Sequence, residues 1–162
     1  MNEVNVMDLS AFVARFGGIA EHSPWVAERA ANARPFASRE AMIAAFTQAV
    51  MEADEAHQLD LIRKHPDLAG KAKLTEHSKN EQAGAGLGSL TADEFARFTR
   101  MNDEYKARFG FPFIFAVKGA TKHQILEAFE ARLPNSAETE FATALAQVCR
   151  ILRFRLEVEV SE

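Results

Sequence analysis

Apolar residues recur at intervals of three and four along most of this chain, and capping residues, glycine and proline separate the patterned stretches. That spacing lines one face of an α-helix and cannot line one face of a strand. Between Met7 and Phe16, the residues Leu9, Phe12, Val13 and Phe16 share a face, with Asp8 as cap and Gly17-Gly18 as stop. Ser23-Pro24 opens a second helix from Trp25 to Ala31, with proline in its favoured first turn. Ser38 opens a third, from Arg39 to Glu52, on Met42, Ile43, Phe46 and Val50. Asp54 to Lys64 is a fourth, ended by His65-Pro66 because the residue before proline resists the helical region. Asp67 to His77 reads as a polar loop, and Ser78 is predicted to open the next helix, running through Gln82 and Leu87. Thr91 with Glu94 forms a capping box for a long helix to Arg108. Thr121 to Leu133 and Ser136 to Val158 complete the set. Only Gly110 to Val117 has strand-like composition, and its proline and isolation predict an extended buried connector over 110–117. The expected fold is all-α: one compact domain, residues 1–162, of seven to nine helices.

Composition narrows the function. A chain of 162 residues buries roughly 70% of its unfolded surface without staples. Thirteen Phe against one Tyr and one Trp predict an aromatic core with few hydroxyls to satisfy. Net charge is −4 with acids and bases interspersed, so the basic patch of a nucleic-acid binder is missing. Apolar runs fall far short of the roughly 18 residues of a membrane span. The opening MNEVNVMDLS has no apolar signal region, and the cytoplasm is the expected compartment. A lone cysteine, Cys149, leaves no intrachain disulfide and no cysteine-based zinc site, and its apolar helical surroundings make it core filler. There is no HExxH or Glu-x-x-His pair, so no metal site is expected.

Three residues sit oddly for a purely structural domain. The last helix carries its apolar face on Phe141, Leu145, Val148 and Leu152, and the next step of three lands on Arg155. A core-facing arginine needs an anion, supplied either by a ligand or by a structural carboxylate. His65 is held by a stiff His-Pro backbone at a helix end, ahead of the loop residues Asp67, Gly70 and Lys71; a histidine capping its own helix would look the same. Glu81 fits a capping box with Ser78, yet Gly84, Gly86 and Gly88 follow closely, and glycines there suggest close approach of a backbone or a ligand.

Five segments, in order along nearly the whole chain, resemble the 2-oxo-4-hydroxy-4-carboxy-5-ureidoimidazoline (OHCU) decarboxylase family. They are Phe16-Gly17-Gly18 with Glu21-His22-Ser23-Pro24-Trp25; His65-Pro66-Asp67-Leu68-Ala69-Gly70-Lys71; Ser78 with Glu81-Gln82-Ala83-Gly84-Ala85-Gly86-Leu87; Phe109-Gly110-Phe111-Pro112-Phe113-Ile114; and Arg153-Phe154-Arg155-Leu156. The resemblance implies an all-helical domain, commonly a homodimer, that uses no metal or organic cofactor. It implies His65, Glu81 and Arg155 as catalytic residues. Pro66, Ser78 and Gln82 would line the pocket, with the backbone of Phe113, Ile114, Phe115, Ala116 and Val117 meeting the substrate. The implied reaction converts OHCU to (S)-allantoin in urate breakdown, with urate oxidase and hydroxyisourate hydrolase as pathway neighbours. The loop from Gly70 to Ser78 is shorter than usual in that family. Phe115 stands where a small or β-branched residue is expected, which would reshape the pocket wall. Three other readings are a decarboxylase of a related ureido-heterocycle, a non-catalytic anion-binding helical module, and a structural domain in which Arg155 pairs internally and Glu81 only caps.

Overall fold

The computed structural model describes residues 1–70 and 73–161; Lys71, one of the loop residues named above, lies outside them. Among the described residues there are nine α-helices and no strand: α1 (Asn2–Asn5), α2 (Leu9–Phe16), α3 (Trp25–Ala30), α4 (Arg39–Met51), α5 (Glu55–Arg63), α6 (Glu76–Gly84), α7 (Ala92–Phe109), α8 (Lys122–Arg132) and α9 (Ala137–Glu159). A turn of 3₁₀ helix, Ala31–Ala33, extends α3. None of the helices is long and apolar enough to cross a membrane.

Local chemistry sets most of the boundaries. Asp8, Ser38, Asp54, Thr91 and Thr121 each accept a hydrogen bond from the backbone N–H three residues on. This satisfies donors that a helix start leaves open. Thr91 and Glu94 form the predicted capping box. The predicted start at Ser78 is corrected. Thr75 caps α6, its Oγ1 accepting from the Ser78 N–H at 3.3 Å, so Ser78 lies inside the helix's first turn. The reason is local: a threonine three residues upstream offers the same acceptor and leaves Glu76 in the first turn, where an acid favours the helix dipole.

The chain divides into two compact units, residues 1–64 with 148–162 and residues 65–147, with the boundary inside α9. In the first, α3 packs on α2 and α4, and the rings of Phe16, Phe36 and Phe46 gather around the fully buried Phe12. Leu9, expected on that face, is 51% exposed because it stands in the first turn of α2, beyond this cluster. In the second unit Phe98, Tyr105, Phe113 and Phe129 form an aromatic core. The stretch 111–117 forms neither helix nor strand and is buried except at the half-buried Phe115, matching the unpaired buried connector its composition predicted.

Candidate active site

His65 follows α5, whose last turn closes with the Lys64 N–H on the Asp60 carbonyl at 3.1 Å. Pro66 prevents continuation, and the side of the chain that carries His65 is buried, with the histidine 7% exposed. The backbone then turns back on itself. Ala69 takes a left-handed conformation at φ 55°, and the Gly70 N–H donates to the Asp67 carbonyl at 3.3 Å. Two helices grip this turn through side chains. From α6, Gln82 accepts from the Ala69 N–H at 3.0 Å and donates to the Asp67 carbonyl at 3.4 Å. From α7, Asn102 donates to the Leu68 carbonyl at 2.8 Å and Lys106 donates to the Asp67 carboxylate at 2.6 Å. Gln82 is thus anchored to the histidine turn by both ends of its amide, a role its position in the sequence did not disclose.

Ser78, Glu81 and Gln82 lie at i, i+3 and i+4 on α6 and so share one face. Ser78 and Gln82 are buried and Glu81 is half-buried. The correction at Thr75 bears on Glu81: six residues beyond the cap, it is not the capping-box partner. The helix ends in a Schellman turn, with Leu87 N–H on the Gln82 carbonyl at 3.0 Å and Gly86 N–H on the Ala83 carbonyl at 3.1 Å. Gly86 stands at φ +79°, which explains that glycine. A Cβ added at Gly84 or Gly88 would meet nothing within 4 Å, so no close backbone approach explains the other two.

Side chains of α8 and α9 hold the connector. Arg132 donates to the Ile114 carbonyl at 2.6 Å, and Gln147 accepts from the Ala116 N–H at 2.9 Å. Phe113 stacks on Phe129 with centroids 3.7 Å apart. Arg132 is itself held by Glu140, which is fully buried and also receives Tyr105 Oη at 2.6 Å and Asn135 Nδ2 at 3.0 Å. Burial, reinforced by the bond to Glu140, holds the Tyr105 hydroxyl well above the ordinary tyrosine range. Sequence reasoning missed this network. Its signal lay four residues before the buried Ala144, where the α9 stripe meets an acid instead of an apolar side chain.

Arg155 faces the interior, as its position on the stripe predicts, with its side chain 2% exposed. Nη1 donates to Glu21 Oε2 and to the Ile19 carbonyl, each at 3.0 Å. Glu21, also 2% exposed, precedes a tight turn in which His22 adopts φ 45° and Ser23 Oγ donates to the Glu21 carbonyl. The pairing meets one half of the structural-domain reading, while the other half, a capping role for Glu81, is absent. Glu21 was part of a matched segment but carried no assigned role.

His65, Pro66, Ser78, Glu81, Gln82 and 113–117 belong to the second unit, and Arg155 with Glu21 to the first. Among the described residues no three His, Cys, Asp or Glu side chains are grouped as metal ligands would be. A cavity of about 640 Å³ beside α6 is lined by Lys79, Gln82, Leu87 and Phe95, among others, and not by His65 or Glu81. Chemically, the second unit offers a buried imidazole on a braced turn, and the first a buried guanidinium–carboxylate pair.

A family model described as OHCU decarboxylase matches residues 5–157. The uric acid degradation bifunctional protein PucL of Bacillus subtilis (strain 168) is 46% identical over all of this chain, which spans 33% of that protein. The 2-oxo-4-hydroxy-4-carboxy-5-ureidoimidazoline decarboxylase of Haloferax volcanii is 46% identical over 96% of this chain and 93% of its own length. Among solved structures, that of (S)-allantoin synthase superimposes with a TM-score of 0.80 at 31% identity, covering 98% of this chain and 53% of that one.

Proposed function

The chain belongs to the OHCU decarboxylase family, and from that premise we propose that it decarboxylates OHCU to (S)-allantoin in urate breakdown. The carbon–carbon bond to the carboxylate breaks, carbon dioxide leaves, and the bonding electron pair stays with the ring, which takes up one proton on one face. Because the substrate ring is the electron sink, the reaction calls for no added cofactor. The protein's share is to hold the leaving carboxylate, keep water out and deliver the proton.

His65 is the acid/base, since histidine's reference pKa of ~6.5 suits proton transfer near neutrality. Arg155 is the anion-recognising group, its guanidinium suited to a carboxylate or a developing oxyanion. Its bond to Glu21 fixes how the guanidinium is presented. Glu81 holds the imidazole in its working tautomer or accepts the ureido N–H groups. Pro66, Ser78, Gln82 and 113–117 supply the pocket wall. The observation that carries this reading is the burial of His65 on a turn gripped from α6 and α7, since that much bracing suits a group whose position matters. The same proposal has residues 1–162 acting as one domain, as a homodimer in the cytoplasm, downstream of urate oxidase and hydroxyisourate hydrolase.

The test converts urate with urate oxidase and hydroxyisourate hydrolase, adds the purified protein, and follows ultraviolet decay and circular dichroism in allantoin's band. Accelerated decay with growth of the (S)-allantoin signal, unaffected by EDTA, is expected. Decay at the spontaneous rate to racemic product overturns the proposal. It would leave the related-heterocycle and anion-binding readings, which separate by turnover of another ureido-heterocycle.

A further inference from the structure

We propose that Asn102 is a positioning residue for His65, holding from α7 the turn that carries the imidazole. The inference rests on His65 being the acid/base. Asn102 lies within the 18-residue helix α7 and is 4% exposed. Asparagine is a poor helix former, and a buried amide loses its hydration unless it is bonded in return. A leucine of similar size would serve both helix and core better. What the asparagine supplies is the 2.8 Å bond from Nδ2 to the Leu68 carbonyl, across 34 positions of sequence and three residues beyond His65.

That bond sits where the chain is otherwise free to turn. His65 is restricted by the proline after it and the φ of Pro66 by its ring, so the backbone freedom that remains lies at the ψ of Pro66 and at Asp67 and Leu68. Holding the Leu68 carbonyl restrains that freedom from its far end. One helical turn on, Lys106 holds the Asp67 carboxylate, but with side chains 40% and 28% exposed this pair is screened by water. Gln82 grips the same turn and is already placed in the pocket wall. Asn102 is therefore the buried clamp whose function is separable from substrate contact.

The experiment replaces Asn102 with leucine and measures kcat, KM and the His65 imidazole resonances by NMR, assigned by comparison with a His65→Ala sample. Displacement of a reacting group by about 1 Å costs on the order of 10²-fold. Asn102→Leu is accordingly expected to lower kcat by about ten- to a hundredfold, to leave KM within about threefold, and to shift or broaden the His65 signals. Asn102→Ala removes the same donor without added bulk and is read in the same way should the leucine variant fail to fold. Ile125→Ala, a buried position on α8, controls for general loosening and is expected to lower stability while keeping kcat. Wild-type kcat in a folded Asn102 variant, unmoved His65 resonances, or an equal kcat loss in Ile125→Ala each overturns the proposal. Absence of OHCU turnover in the wild type defeats the proposed function instead, and the NMR comparison still decides whether Asn102 holds His65.

Discussion

Arg155 and Glu21 hold each other at 3.0 Å with both side chains 2% exposed, so removing either leaves a buried charge behind. Breaking such a pair costs about 3–5 kcal/mol, whereas replacing both partners with apolar groups is often neutral or better. Glu21→Ala is therefore expected to lower the urea unfolding free energy by about that amount. Glu21→Leu combined with Arg155→Met should recover much of it while abolishing turnover. A double variant no more stable than Glu21→Ala would show that the pair is not coupled as the geometry indicates. His65→Ala is expected to lose at least ~10² in kcat, the usual contribution of an acid/base group, with its helical circular dichroism intact. Retained turnover would remove His65 from the chemistry. The need for an anion beside Arg155 was legible from helical phase, because 100° steps along α9 place it on the buried stripe. Which anion was not legible, since Glu21 is 134 positions away in sequence and no local pattern connects the two.

At the scale of the element, the end of α6 sets apart two glycines that look alike in sequence. Gly84 is the last residue of the helix, and an added Cβ there meets nothing within 4 Å. Gly84→Ala is expected to stabilise by up to about 1 kcal/mol, the difference in helix propensity. Gly86 sits at φ +79° in the Schellman turn, so Gly86→Ala should destabilise by about 1 kcal/mol or more. Changes of the same sign in thermal or urea unfolding would contradict the assigned helix end. Most starts were readable because a cap is a short-range code: Asp8, Ser38, Asp54, Thr91 and Thr121 each stand directly before an amphipathic run. The start of α6 was misplaced because Thr75 and Ser78 are both competent caps three residues apart, and the preceding loop carries no apolar phase to choose between them.

For the whole molecule, two weak acids, the buried Tyr105 and the half-buried Cys149, predict how stability responds to alkali. Burial pushes the Cys149 thiol from 9.0 up to about 11, and holds the Tyr105 hydroxyl above its ordinary value of 10.0. Well below pH 9 both groups are neutral whether the chain is folded or not, and their contribution is complete. As pH rises from 9 through about 11, the thiol ionises in the unfolded chain before the folded one, so stability falls, and tyrosine extends the decline above pH 10. Cys149→Ala should flatten the lower part of that slope in urea midpoints measured from pH 8 to 11; an unchanged slope would place the thiol in a wetter site. Because α9 gives its first part to one unit and its last part to the other, a single calorimetric transition is expected for residues 1–162, and two resolved transitions would argue against one cooperative domain. By itself the sequence determined the all-α class, nearly every helix, the unpaired connector and the inward phase of Arg155, because caps, prolines and a 3.6-residue period all act within a few residues. Only the tertiary structure decided that Arg155 is held by Glu21, that Gln82 and Asn102 brace the histidine turn, and that Glu140 anchors Arg132 beneath the connector. Those choices join positions far apart in the chain, and a buried polar group takes whichever partner folding brings to it.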